Sequence, residues 1–212
     1  MSVTPSDLAE SLESLGQGNE GLLLIRDALR TMDNPERATW LAQNVVTPPL
    51  THEEAQRRVG AAVEGFNCLQ GDVVRTSAAY RFGVRIEPSA TYLVATSSCD
   101  LVPGRRAAAL LLPIEPKRRS DFKSDSHFST ELNRLTEYGP RKYFYLPALE
   151  DDEEDVLFNV AWMDPLATCT NEAANLAERR ASLSLVGWRI FGTLVRELLV
   201  REAEQEPAMR TP

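Results

Sequence analysis

The stretch GDVVRTSAAYRFGVRIEPSATYLVATSSCDLVPGRRAAALLLPI, residues 71–114, decides the fold. Gly71-Asp72-Val73-Val74 opens one β-prone run, Tyr92-Leu93-Val94-Ala95 forms a second, and Ala107 to Ile114 is a nearly unbroken apolar third. Pro88 punctuates the chain before the second run, and Cys99-Asp100-Leu101-Val102-Pro103-Gly104-Arg105 before the third. Arg81–Ile86 reads as a further strand. Short strands joined by turns over so few positions describe a small, strongly bent barrel. They describe neither a sandwich nor a βαβ unit.

Outward from this stretch the pattern becomes helical. On the N-terminal side, Ser6 caps a helix over Asp7–Leu15, which Gly16 and Gly18 end. Asn19–Met32 carries Leu22, Ile25, Leu29 and Met32 at helical spacing. Asn34-Pro35 opens a short helix through Leu41, and Thr51 with Glu54 is a capping box for a helix to about Phe66. On the C-terminal side, residues 115–130 read as a mobile polar loop and Glu131–Glu137 as a short helix. Lys142–Leu146 and Val156–Met163 read as strands joined by the acidic run Glu150–Asp155. Helical sequence resumes at Thr170 or Asn171, and Ala181 to about Ala203 is the longest helix. The expected class is therefore α+β, with a helical N-terminal region over 1–67, an SH3-like β-barrel over 68–163, and C-terminal helices over 164–212 packed on the barrel.

Composition sets the class of partner. The 212 residues are 43% hydrophobic and 25% charged, enough for a substantial core and ordinary for a water-soluble chain. Three unevenly spaced cysteines (Cys68, Cys99, Cys169) form neither a disulfide framework nor a CxxC pair, which points to a reducing cytoplasm. The N-terminus has no signal-peptide pattern, and no apolar run approaches the ~20 residues that span a bilayer, so no membrane partner is expected. Arginine greatly outnumbers lysine, a bias associated with GC-rich bacterial genomes. The net charge of −8 hides a partition: residues 71–147 are basic on balance, between two acidic flanks. The overall field opposes indiscriminate nucleic-acid binding, while a local basic face can dock an acidic partner or a phosphate backbone.

The sharpest local constellation is Thr96-Ser97-Ser98-Cys99-Asp100, which places hydroxyls, a thiol and a carboxylate at a strand end. As a nucleophile Cys99 needs a base, and only His52 and His127 exist; His127 lies near Asp121 and Asp125. The favoured alternative is an inert buried cysteine with Asp100 capping its own turn. Asp121, Asp125 and His127 could be drawn as a metal site, but their spacing fixes no geometry and no cofactor is expected. Arg105-Arg106 and Lys117-Arg118-Arg119 bracket the apolar strand with positive charge. Arg141-Lys142 precedes Tyr143-Phe144-Tyr145, where rings beside cations could stack bases, although strand alternation sends at least one ring into a core. The acidic run Glu150–Asp155 reads as a solvated hairpin loop, or else as an element masking the basic face.

The Gly-Asp-Val start, the strand Tyr92–Ala95, the turn after it and the strand ending Leu112-Pro113-Ile114 resemble MazF/PemK-type endoribonuclease toxins. The likeness covers residues 70–115 and implies an SH3-like barrel. Two positions depart from it. Ala90-Thr91 stands where that family has an arginine-proline pair, and Glu115 stands where it has a hydroxyl residue. A carboxylate facing the scissile phosphate would repel it, so the resemblance implies the barrel and not its catalysis. Thr/Ser-x-x-Cys-Asp-Leu at 96–101 also resembles a motif of uncharacterised bacterial proteins, some of them linked to conflict or antiviral defence.

The expected function is a non-catalytic, cytoplasmic bacterial binding module that captures a partner protein through a basic barrel rim, and the resemblances imply a component of a defence or toxin-related system. Cys99, Asp100, Arg105, Arg106, Lys117, Arg118 and Arg119 form that rim. Nucleic acid is the second partner class, and the rival function is a MazF/PemK-like endoribonuclease or other nucleic-acid-binding hydrolase.

Overall fold

The computed structural model describes residues 19–51, 53–54, 66–136 and 142–199. Among these residues the fold is α+β, with five α-helices and ten strands. The strands are β1 (Val46–Thr47), β2 (Asp72–Thr76), β3 (Tyr80–Arg81), β4 (Val84–Arg85) and β5 (Ala90–Val94), then β6 (Ala108–Arg118), β7 (Tyr143–Pro147), β8 (Val156–Trp162), β9 (Ala167–Thr170) and β10 (Glu178–Leu183). The helices are α1 (Asn19–Thr31), α2 (Asn34–Asn44), α3 (Asp125–Thr136), α4 (Asn171–Leu176) and α5 (Leu185–Leu199).

β6 organises the sheet. All pairing is antiparallel, in the order β1-β10-β2-β5-β6-β9-β3-β4, with β8 also beside β6 and β7 outside β8. The first half of β6 pairs with β9, from Ala108↔Thr170 to Leu111↔Ala167. Its second half pairs with β8, from Ile114↔Ala161 to Arg118↔Val156. β8 and β9 are thus one interrupted strand along the same edge, broken at 163–166. Pro113 lies where β6 changes neighbours, the position at which a missing amide costs least.

The run 71–114 is antiparallel without helical crossovers, as its pattern predicts. Closure is where the expectation fails. The sheet is open, ending at β1 and β4, because β10 and β1 extend it beyond β2 while β6 hands over to the β7–β8 ribbon. Three element assignments also change. Ala181–Leu183 belongs to β10, since pairing with β1 and β2 overrides local helical character. Residues 115–118 continue β6, and 125–136 form a helix. Ser124 Oγ accepts from His127 N at its start, and Leu132 and Leu135 are buried, a stripe that the polar composition obscured. The α2 cap is Asp33, one residue before the expected Asn34, accepting from Glu36 N at 2.9 Å. Thr51 and Glu54 do form the reciprocal capping box. The helix expected over 7–15, most of that expected over 51–66, His52 and the C-terminal tail lie outside the described residues.

Strand alternation divides the interior into two cores. The row Val73–Leu93–Leu112 faces one side, where α1, α2, α5 and the β7–β8 ribbon cover it. Val74, Tyr92, Val94 and Leu111 face the other side, beneath Phe66–Leu69, Leu101-Val102 and Ala174 of α4. The C-terminal helix seats Val186, Ile190, Phe191 and Leu194 in the first core, with the Phe191 ring 5.4 Å from that of Phe144. The approach is close: a Cβ on Gly187 would stand 2.1 Å from the Val45 carbonyl oxygen.

Candidate functional site

The loop between β5 and β6, residues 97–106, is held from beneath by α4. Thr170 caps that helix through Ala173 N, which aims Asn171 and Asn175 inward, both buried. Asn171 Nδ2 donates to the carbonyls of Asp100 and Arg106, and Asn175 Nδ2 donates to that of Leu101. Asn175 Oδ1 accepts from the amides of Asn67 and Cys68. Ser98 Oγ accepts from Gln70 N and Thr96 Oγ1 from Leu110 N. These bonds replace water on an irregular backbone and so fix the loop's shape.

On this rigid loop Cys99 is exposed, not buried. Its sulfur is 3.0 Å from Ser97 Oγ. Arg105 donates to the Cys99 carbonyl and makes no ion pair among the described residues. Arg106 lies 3.4 Å from Asp100. Both arginines line a cleft of about 680 Å³ between the loop and α4, with Asn171, Glu172 and Leu176 on its far wall. Leu176 is 85% exposed. The other two thiols are buried, which pushes both upward, Cys169 to about 11, and leaves them inert.

The remaining rim residues are elsewhere. Arg105 and Arg106 precede the start of β6, whereas Lys117, Arg118 and Arg119 lie at its end, about 30 Å of extended strand away. Each of those three is paired: Lys117 with Glu115 at 2.6 Å, Arg118 with Glu153 and Asp155 at 2.7 and 2.6 Å, and Arg119 with Asp125. The single rim read from the sequence is therefore two separate clusters, and only the first carries an unpaired cation.

The Cys99–His127 arrangement is not assembled, and His52 lies outside the described residues. His127 follows the end of β6, packed on Phe122, while Cys99 precedes its beginning. Asp121 accepts from Arg118 N, Asp125 pairs with Arg119, and His127 Nδ1 accepts from Lys123 N. Among the described residues no cluster of three or more such side chains could hold a metal. Glu115 accepts from Trp162 Nε1 at 2.8 Å and from Lys117, and Thr91 accepts from Arg180. Tyr143, Phe144 and Tyr145 are all buried, so none is a stacking platform.

Sequence reasoning missed the β3–β4 hairpin as a surface feature. Its two turn residues, Phe82 and Gly83, both have positive φ (50° and 80°), as a primed two-residue turn requires. Phe82 is 96% exposed and Val84 70%. Register places Tyr80, Thr168 and Leu110 in one row across β3, β9 and β6, each of them uncovered. Val84 lies on the opposite face, paired with Arg81. Apolar groups on both faces and at the tip make the hairpin a projecting finger. The available signal was an aromatic beside Gly83 in the turn of a strand pattern.

No helix among the described residues is long and apolar enough to cross a membrane. Comparison with family models, curated proteins and solved structures gives no match to this chain.

Proposed function

We propose that this chain is a non-catalytic binding module of the bacterial cytoplasm, acting on a partner protein through the surface around the N-terminal half of β6. The uncovered finger carries the reading. A phenylalanine in the left-handed region costs about 1 kcal/mol or more, and one left almost wholly in water gains nothing back within the chain. Exposed apolar groups with a cationic border are the composition of a protein-docking surface. Arg105 and Arg106, on the fixed loop that leads into the same strand β6, are the cations assigned to that surface, so the partner segment should be apolar with acidic flanks. The Lys117–Arg119 cluster is left out of this surface, since its charges are already paired. Cys99 and Asp100 belong to it through the loop they share with Arg105.

The test separates stability from binding. Phe82→Asn places a residue that tolerates positive φ in the turn and should raise stability by about 0.5–1 kcal/mol. The same change, alone or with Arg105→Glu, should weaken capture of the cognate partner at least about tenfold. Undiminished capture by the double variant would refute the surface. The hydrolase alternative predicts that purified protein cleaves single-stranded or structured RNA and that Glu115→Ala abolishes cleavage. The binding reading expects intact RNA in both cases.

A further inference from the structure

The acidic run between β7 and β8 does not hang free in solvent. It lies across the face of the sheet where β2, β5, β6 and β10 bring three arginines together. Arg75, Arg118 and Arg180 line a cleft of about 270 Å³ with Thr91, Ile114 and Asn159. Asp151, Asp152 and Glu153 enter from the loop above, and Asp155 reaches the Arg118 side chain beside them. Arg180 binds Asp151 and, at 3.0 Å, Asp152, and also donates to Thr91 Oγ1 at 3.2 Å. Arg118 bridges Glu153 and Asp155. The Arg75 guanidinium lines the same cleft, makes no hydrogen bond or ion pair among the described residues, and acts on Asp151 only through longer-range attraction.

Two kinds of contact hold the loop. Asp152 is structural: it accepts from Leu149 N and from buried Asn159 as well as Arg180. Asp151, Glu153 and Asp155 accept only arginine donors among the side chains around them, and all three are about half exposed or more. Planar guanidinium groups bind carboxylate and phosphoryl oxygens with the same paired geometry. The loop carboxylates thus occupy positions suited to phosphoryl oxygens, while Arg75 stands beside them with no carboxylate in direct contact among the described residues.

We propose that this cleft is a phosphoryl-binding site, built from Arg75, Arg118, Arg180 and Thr91, which the chain's own acidic loop masks. Three arginines against four carboxylates leave the closed cleft without net attraction for an anion. Displacing the three exposed carboxylates while Asp152 stays anchored leaves an excess of two positive charges. The ligand class is the phosphoryl group, carried by free phosphate or by a nucleic-acid backbone. The site is distinct from the protein-docking finger and does not depend on it.

The triple variant Asp151→Asn/Glu153→Gln/Asp155→Asn keeps Asp152 and its anchors. Inorganic phosphate is titrated by calorimetry, and a short fluorescein-labelled oligouridylate by anisotropy. The triple variant should bind at least one of them about tenfold more tightly than the native chain, with a steeper salt dependence for the oligonucleotide. Adding Arg75→Ala and Arg118→Ala in that background should remove the gain. A gain for both probes or for the oligonucleotide alone identifies a backbone ligand, and a gain for phosphate alone a small one. No gain for either, in a variant that still melts cooperatively, overturns the proposal. If the triple variant does not fold, the single variant Glu153→Gln, at the most exposed of the three carboxylates, decides. Phosphate at matched ionic strength should raise its melting temperature by more than it raises that of the native chain, and adding Arg75→Ala should erase the difference. No difference between the single variant and the native chain overturns the proposal equally.

Discussion

Asn175 commits both ends of its amide to neighbouring chain: Oδ1 accepts from Asn67 and Cys68, and Nδ2 donates to Leu101 and Asn171. Nothing in a run such as Asn171-Glu172-Ala173-Ala174-Asn175 announces that role. Helical sequence starting there was legible, but an asparagine facing inward looks like one facing water until the loop above it is placed. Cys99 shows the converse. Its residue type favours burial, and the fixed loop exposes it. Asp72, legible only as the Asp of a Gly-Asp-Val strand start, is 1% exposed. Burial raises its carboxyl above the usual value, opposed by hydrogen bonds from Ser182 and Leu69 and by Arg179. Between its unfolded and its higher folded pKa, the folded chain holds more protons. Asp72 therefore favours folding as pH falls through its folded pKa, and that contribution is lost as pH rises through it. Asp151 acts oppositely: Arg180 holds it below the usual carboxylate range, so its contribution is lost only as pH falls through that lowered value. The Asp72→Asn variant should thus show a stability deficit that grows from pH ~7 toward pH ~4, read by urea unfolding. A deficit growing toward neutral pH would contradict the burial argument.

At the scale of elements, strands with apolar runs were the readable part. β2, β5, β6, β7 and β8 all coincide with β-prone stretches, and α1 with its periodic leucines. Elements set by long-range partners were not readable. β10 contains Glu178, Arg179 and Arg180, and becomes a strand because β1 and β2 offer it ladders on both sides. α3 was obscured by its serines and charges. β6 was readable as an apolar strand, but its handover from β9 to β8, which keeps the sheet open, depends on the break at 163–166. The junction of α5 with the rest is equally tertiary. Gly187 meets backbone rather than a movable side chain, so Gly187→Ala should cost about 1–3 kcal/mol in thermal or urea unfolding. Gly192 lies in the same helix with nothing within 4 Å of an added Cβ, and Gly192→Ala should be neutral or stabilising. Equal effects from the two would rule out the close approach.

For the whole molecule, the charge partition visible in the sequence survives folding in altered form. The basic middle does not present one rim. Its far end is neutralised by the acidic loop, Glu115 and Asp125, while Arg105 at its near end makes no ion pair among the described residues. That division could not be read from residue order, because the fold brings the 151–155 loop to the end of β6 and not to its beginning. The finger is the proposed contact point for another protein. Incorporating the photo-cross-linker p-benzoylphenylalanine at position 82, in the native host, tests this most directly, with Leu23 (53% exposed, on α1) as the control position. The expected result is one discrete adduct from position 82, lost with Arg105→Glu/Arg106→Glu and absent from position 23. The same adducts from both positions, or none from position 82, would contradict it.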